Sequence, residues 1–179
     1  MKIAILQVGK VEQNVLKHVQ ENISKTFQQT EVVISKDVMP LPPEAYDSQR
    51  KQYQSSLLLP IIREYLNKTD ADKILGITTV DLYVPQLHFV FGEAERLGKA
   101  AIISLYRLMP EPYSNLGNQT LFLERALKEA LHEIGHTLGL AHCSDISCVM
   151  SFSNTINAVD TKKKEFCPKC SKRLSEWIQ

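Results

Sequence analysis

The residues best suited to chemistry are three of the five histidines, which lie close together late in the chain. His132 and His136 are four residues apart, so on an α-helix their imidazoles lie one turn apart on one face and can bind one metal ion. Glu133 adjoins the first histidine. Gly139 follows, and because glycine readily adopts the positive φ that ends a helix, the chain can bring His142 back to the same ion. Three neutral nitrogens with an open fourth position are typical of a catalytic zinc site.

All four cysteines of the chain follow these histidines. They form a Cys-x4-Cys pair and a Cys-x2-Cys pair, made by Cys143, Cys148, Cys167 and Cys170. Four thiolates make a closed tetrahedral zinc site, which is structural in character. Such a site would fix the third histidine together with Met150, because the first two cysteines bracket the segment between them. Two disulfides, free buried thiols and a redox Cys-x-x-Cys are the alternatives.

The segment HEIGHTLGLAH, with Met150 after it, matches the metzincin signature H-E-x-x-H-x-x-G-x-x-H and its Met-turn methionine. Together with the four placed cysteines, residues 131–170 resemble the archaemetzincin family of zinc metalloproteases. The resemblance implies a catalytic zinc held by the three histidines, with Met150 beneath it. Phe152 stands where some metzincins carry a tyrosine as an extra ligand, so we expect no tyrosine switch.

The expected activity is hydrolysis of peptide bonds, with two zinc ions per chain, one catalytic and one structural. Glu133 is expected to be the general base, taking a proton from a zinc-bound water whose pKa is lowered towards ~7 and passing it to the leaving amine. Zinc would stabilise the developing oxyanion. Tyr106, Arg107 and Tyr113 are candidates for a further stabilising group by position only.

Two alternatives come from other classes of protein. One is a zinc-binding protein with this metal geometry but no peptidase activity, or only a latent, partner-dependent one. Intact Glu133 argues against it. The other is a nucleic-acid or protein-interaction module organised by the cysteine zinc, whose nucleic-acid form is weakened by the absence of a basic patch interleaved with aromatic residues.

Composition narrows the class of protein further. A chain of 179 residues with a formal net charge of +1 is most simply one domain and has no basic excess that would indicate nucleic acid. No apolar run approaches the ~20 residues of a membrane helix, and the N-terminal run is too short for a signal peptide. We therefore expect a cytoplasmic protein with reduced or metal-bound cysteines. The resemblance implies peptide or protein substrates, and we expect a monomer.

The elements that must position these residues begin with a β-α-β pattern. Strands are predicted at residues 2–8, 31–35, 73–78, 87–92 and 99–105. Helices are predicted at residues 11–27, 48–67 and 121–138, with a last short helix at 171–178. Pro60 should kink the second helix or mark its true start.

The pattern predicts an α/β fold with a mixed, twisted five-stranded sheet whose fourth strand is antiparallel at one edge. We expect one metalloprotease domain over residues 1–179, with an α/β part at 1–138 ending in the active-site helix and a small zinc-stapled part at 139–179. The strand at 87–92 is expected to border the cleft, where extended substrate would pair with it, although an interior strand is nearly as consistent. His88 is interpreted as a packing or surface residue, and the run 162–164 of three lysines as a solvated loop.

Overall fold

The computed structural model describes residues 1–110 and 116–177, and its centre is a five-stranded mixed sheet. The sheet contains β1 (Lys2–Val8), β2 (Glu31–Met39), β5 (Lys73–Thr78), β7 (Gly92–Ala94) and β8 (Ala100–Ser104), in the order β2-β1-β5-β8-β7. Three short strands, β3 (Tyr46–Asp47), β4 (Gln52–Gln54) and β6 (Leu82–Tyr83), form a second sheet. In the main sheet only β7 is antiparallel to its neighbour, and it forms one edge. The predicted fold class is therefore confirmed.

Helices cover both faces of this sheet, as the buried parallel strands require. The helices of the described residues are α1 (Gln13–Thr26), α2 (Ser55–Glu64), α3 (Leu116–Thr137), α4 (Ile156–Thr161) and α5 (Pro168–Trp177), with 3-10 turns at Pro43–Ala45 and Tyr65–Lys68. Of these, α1, α2 and α3 pack on the sheet. Alternate residues of β1 divide the core. Ile3 and Ile5 pack in the cluster that contains α1 and α3, whereas Ala4 and Leu6 pack in the cluster that contains α2.

The prediction of a strand at residues 87–92 is wrong, because most of this segment is an irregular turn and β7 begins only at Gly92. The carbonyls of Leu87 and His88 accept hydrogen bonds from the Arg50 guanidinium instead of from a neighbouring strand. The expected antiparallel edge exists, a few residues later in the chain.

The predicted helix at residues 48–67 also differs from the structure. Its first residues form a turn and β4, and α2 begins at Ser55. Pro60 lies inside α2, so it neither starts nor ends the helix. The structure further adds α4, whose N-cap is Thr155, and begins α3 at Leu116 rather than residue 121.

The C-terminus of α3 is held by backbone and side-chain donors from other elements. The carbonyl of His136 accepts from the amides of Leu97 at 3.1 Å and of Gly139 at 2.9 Å, and Gly139 has the expected positive φ of 88°. Lys73 Nζ, on β5, donates to the carbonyl of Thr137 at 3.0 Å and to that of Gly98 at 2.8 Å. A positive charge at this end also interacts favourably with the helix dipole.

Replacing Lys73 by methionine is expected to lower the free energy of unfolding by about 2 kcal/mol, because two carbonyls lose a charged donor. Urea denaturation measures the change. Lys99→Met is the matched control, since Lys99 is an exposed lysine nearby, and it should change stability by less than about 0.5 kcal/mol. Equal losses in both variants would contradict a specific role of Lys73.

Within residues 1–110 and 116–177, no helix combines the length and the apolar character that crossing a membrane requires.

Candidate active site

The structure brings the three histidines together. His132 and His136 lie one turn apart on α3, and the turn at Gly139 returns His142 to them. One nitrogen from each ring lies within 4.8 Å of the others. The centroids of the His132 and His136 rings are 4.6 Å apart, and that of His142 lies 5.3 Å and 4.9 Å from them, respectively.

In His132 and His136, the hydrogen-bond partner of Nδ1 determines which of the two ring nitrogens carries the proton. His132 Nδ1 lies 2.8 Å from the carbonyl oxygen of Val149, and His136 Nδ1 lies 2.8 Å from that of Leu140. A carbonyl can only accept, so each Nδ1 carries a proton and each Nε2 presents a lone pair. Carbonyl partners of this kind are typical of metal-bound histidines.

The distance between the two Nε2 atoms indicates whether a metal ion fits this site. His132 Nε2 and His136 Nε2 are 3.0 Å apart, and neither has a proton to donate to the other. Two lone pairs at this distance repel unless a cation lies between them. Ligands about 2.0–2.1 Å from a tetrahedral zinc would be roughly 3.3 Å apart, so the arrangement fits zinc. Burial lowers the pKa of both histidines, which keeps them in the neutral form that binds metal.

Glu133 adjoins the first of these histidines, lines the same cleft and is 5% exposed. Burial raises its pKa well above the ordinary value, the charge of Glu129 adds to the rise, and the charge of Lys162 opposes it. A carboxyl with a raised pKa is suited to accept and hold a proton.

Gly92, the first residue of β7, provides the surface on which Glu133 rests. A Cβ added to Gly92 would lie 2.6 Å from Glu133 Oε1 and 2.7 Å from its Cγ, closer than atoms can approach. The absence of a side chain at this position therefore leaves room for the Glu133 carboxyl and for the carbonyl oxygen of Ile102 on β8, which the added Cβ would meet at 2.7 Å.

Gly92→Ala is accordingly expected to displace Glu133 and to lower peptide cleavage by about 10- to 100-fold, while the bound metal is retained. Initial rates on a cleaved peptide, with metal analysis of the same sample, measure both effects. Lys99→Met is the control, because Lys99 is exposed and does not line the cleft, and this variant should keep most of the activity. Unchanged activity of Gly92→Ala would show that Glu133 does not need this position.

Met150 is fully buried and lies against α3 at Gly135. A side chain at Gly135 would collide with Met150 Sδ, so the helical glycine allows the methionine to approach closely. The amide of Cys143 donates to the carbonyl of Met150 at 2.9 Å, which closes the loop that begins directly after His142. The helix, the third histidine and the methionine are thus fixed to one another.

The four cysteines also converge, with all sulfurs within 4.8 Å of one another. Cys143 Sγ and Cys167 Sγ are 3.7 Å apart, much longer than a disulfide bond. Sulfurs about 2.3 Å from a tetrahedral zinc would be roughly 3.8 Å apart, so the cluster fits zinc. The backbone amide of Cys167 donates to Cys148 Sγ at 3.3 Å. Hydrogen bonds, first that from the Cys170 backbone, lower the pKa of Cys167 to about 7, whereas burial raises that of Cys148.

A cleft of about 640 Å³ runs past the histidines. One wall is formed by the turn before β7 and by β7 itself, and the other by α3 and residues 152–154. His88 is exposed on the first wall and does not belong to the group of three histidines that could hold a metal ion. The ring of Phe152 lies 5.0 Å from that of His142.

Two of the residues considered for oxyanion stabilisation, Tyr106 and Arg107, are not among those that line this cleft. Arg107 makes a bidentate ion pair with Asp81, at 2.8 Å and 2.7 Å, and its guanidinium lies over the ring of Phe89. Tyr106 is exposed and does not line the cleft. Tyr113 lies outside the described residues.

Lys162 is a buried residue near the site that the sequence did not indicate, and the prediction of a solvated loop is wrong for it. Its side chain is fully buried and its Nζ lies 2.8 Å from Glu129 Oε1, whereas Lys163 and Lys164 are exposed. Glu129 is the residue from which a buried cation could have been predicted. An acidic residue one helical turn before Glu133 faces the same interior, and a buried acid requires a partner.

Comparisons with known proteins place the chain in a family of peptidases. The model of peptidase family M54 matches residues 1–176. The archaemetzincin of Methanocaldococcus jannaschii is 45% identical over 176 residues, which cover 98% of this chain and 94% of that protein.

Solved structures of archaemetzincins have the same fold as this chain. The crystal structure of archaemetzincin from Methanopyrus kandleri superposes with a TM-score of 0.85 at 35% identity, covering 99% of this chain and 95% of that one. Archaemetzincin from Archaeoglobus fulgidus, complexed with malonate, gives a TM-score of 0.83 at 35% identity, covering 97% and 99%.

The fold, the two ligand groups and these matches together define a zinc metallopeptidase. Within that class, the chain belongs to the archaemetzincin family, peptidase family M54.

Proposed function

We propose that the chain hydrolyses peptide bonds in the cleft beside β7, with His132, His136 and His142 holding a catalytic zinc and Glu133 acting as general base. The observation that carries the proposal is the 3.0 Å distance between the Nε2 atoms of His132 and His136, while the Nδ1 atom of each ring is bound to a backbone carbonyl. This arrangement leaves lone pairs aimed at one point, next to a buried carboxyl.

When bound, zinc lowers the pKa of a water molecule and polarises the carbonyl of the substrate. Glu133 accepts a proton from the attacking water, and its raised pKa favours this uptake. The carboxyl then gives the proton to the leaving amine nitrogen, so that it ends each cycle ionised. In the part of the chain that the structure describes, β7 is an edge strand, and its outer side offers backbone groups with which an extended peptide can pair across the cleft.

We propose a second, structural zinc at the four cysteines, since their sulfurs are spaced for one ion. It would anchor residues 139–179 on the α/β part at 1–138, within one metalloprotease domain. Met150 would serve as the Met-turn. A thiolate site without disulfides suits a reducing compartment such as the cytoplasm. We also predict a monomer that acts on peptides or proteins. We predict no nucleic-acid or membrane partner.

The test is cleavage of a diverse peptide library by the zinc-loaded protein, with products identified by mass spectrometry. We expect new termini at defined sites, loss of cleavage when a chelator removes zinc, and recovery when zinc is restored. Circular dichroism before and after chelation separates loss of metal from loss of fold. If the protein holds two zinc ions and cuts no peptide, the alternative of a zinc-binding protein without peptidase activity takes precedence.

A further inference from the structure

The Lys162–Glu129 pair is an ion pair buried next to the proposed base. The Lys162 side chain is 0% exposed and that of Glu129 is 3% exposed, with Nζ 2.8 Å from Oε1. Among residues 1–110 and 116–177, neither of these two atoms makes an aligned hydrogen bond. Each charge is therefore compensated chiefly by the other, and the loss of one would leave the other buried and unpaired.

Glu129 is one helical turn before Glu133 on α3, so the two carboxylates lie on the same side of the helix. Both line the cleft and both are buried. Two acidic side chains in this arrangement repel one another. Glu93, on β7, also lines the cleft and acts on Glu133 with the same sign, so Lys162 is the cation opposing both acids.

The position of Lys162 is fixed independently of this ion pair. Its backbone amide caps α4 through the carbonyl of Ala158 at 3.2 Å. The next amide, that of Lys163, donates to the carbonyl of Ser147 at 2.9 Å. Arg125 on α3 makes a bidentate ion pair with Asp160 on α4, at 2.7 Å and 2.6 Å. Docking of α4 on α3 therefore does not depend on Lys162 alone.

We propose that Lys162 is a positioning residue for Glu133: by neutralising Glu129, its ammonium keeps the Glu133 carboxyl directed into the cleft. The role rests on the proposed function of Glu133 as the base. Without the ammonium, the uncompensated charge of Glu129 would repel the Glu133 carboxylate and displace it from its contact with Gly92. Without Glu129, the unpaired ammonium would attract Glu133 instead.

The test is a double-mutant cycle measured as kcat and KM on a peptide that the wild type cleaves, with zinc content determined for each protein. Lys162→Met and Glu129→Gln should each lower kcat by about 10-fold, with KM changed less than about twofold. The double variant carries neither charge and should recover kcat to within about threefold of the wild type. Asp160→Asn is the control, because it weakens the other ion pair of α4 and should reduce stability without reducing kcat.

Several results would overturn the proposal. One is a Lys162→Met protein with reduced melting temperature but unchanged kcat at equal zinc, which is the behaviour of a purely structural clamp. Another is a double variant no more active than either single variant. If Lys162→Met does not fold, Glu129→Gln and the double variant still decide. A wild type that cleaves nothing would instead refute the proposed function, and this role with it.

Discussion

Replacing Glu133 by alanine is expected to lower peptide cleavage by about 10²–10⁴-fold, the usual contribution of a general base. The three histidines remain, so the zinc content should not change. The loss should appear in kcat more than in KM, because the carboxyl moves protons during the reaction and is not needed to bind an extended peptide. Steady-state kinetics and metal analysis on the same sample measure both quantities.

Glu124→Ala is the matched control for this prediction. Glu124 is an exposed acid on the same helix, so its loss removes an equal charge far from the chemistry. It should retain nearly full activity. A Glu133→Ala protein that keeps more than about a tenth of the wild-type rate would contradict the assignment of Glu133 as base.

Replacing Cys170 by serine is expected to remove one zinc ion from the protein and to loosen residues 139–177. A structural zinc supplies about 10–16 kcal/mol of apparent binding free energy in small zinc-finger peptides, and its loss removes much of the stability of the segment that it anchors. Since Cys143 directly follows His142, the third histidine should lose its position and cleavage should fall as well. Zinc analysis, hydrogen exchange of residues 139–177 and activity measure these three consequences.

Ser171→Ala serves as the control, because the exposed Ser171 hydroxyl donates only to the carbonyl of Phe166, at 3.2 Å. It should keep both zinc ions and an unchanged exchange pattern. A Cys170→Ser protein with two zinc ions, or with undiminished protection of residues 139–177, would show that the cysteines do not hold a structural metal.

The features predicted correctly from the sequence are those set by local spacing. The pairing of His132 and His136 follows from the helical period, and the return of His142 requires only the turn at Gly139. The first strand and the strand of residues 73–78 were predicted with correct bounds, because a continuous apolar run bordered by turn residues is typical of a buried strand.

The features that the sequence did not reveal depend on contacts between distant segments. The segment 87–92 has a strand-like composition, but the Arg50 side chain binds its carbonyls from far away in the chain. The space at Gly92 is occupied by Glu133, more than forty residues later. Lys162 belongs to a lysine run that has the composition of a solvated loop, and only the docking of α4 on α3 buries it against Glu129.

The most direct test of the two proposed metal sites is anomalous diffraction from crystals of the zinc-loaded protein, recorded on both sides of the zinc absorption edge. We predict two peaks, one about 2.0–2.1 Å from a ring nitrogen of each of His132, His136 and His142, and one about 2.3 Å from all four cysteine sulfurs. A single peak at the cysteines, with the histidines empty in zinc-saturated crystals, would contradict a catalytic zinc held by the three histidines.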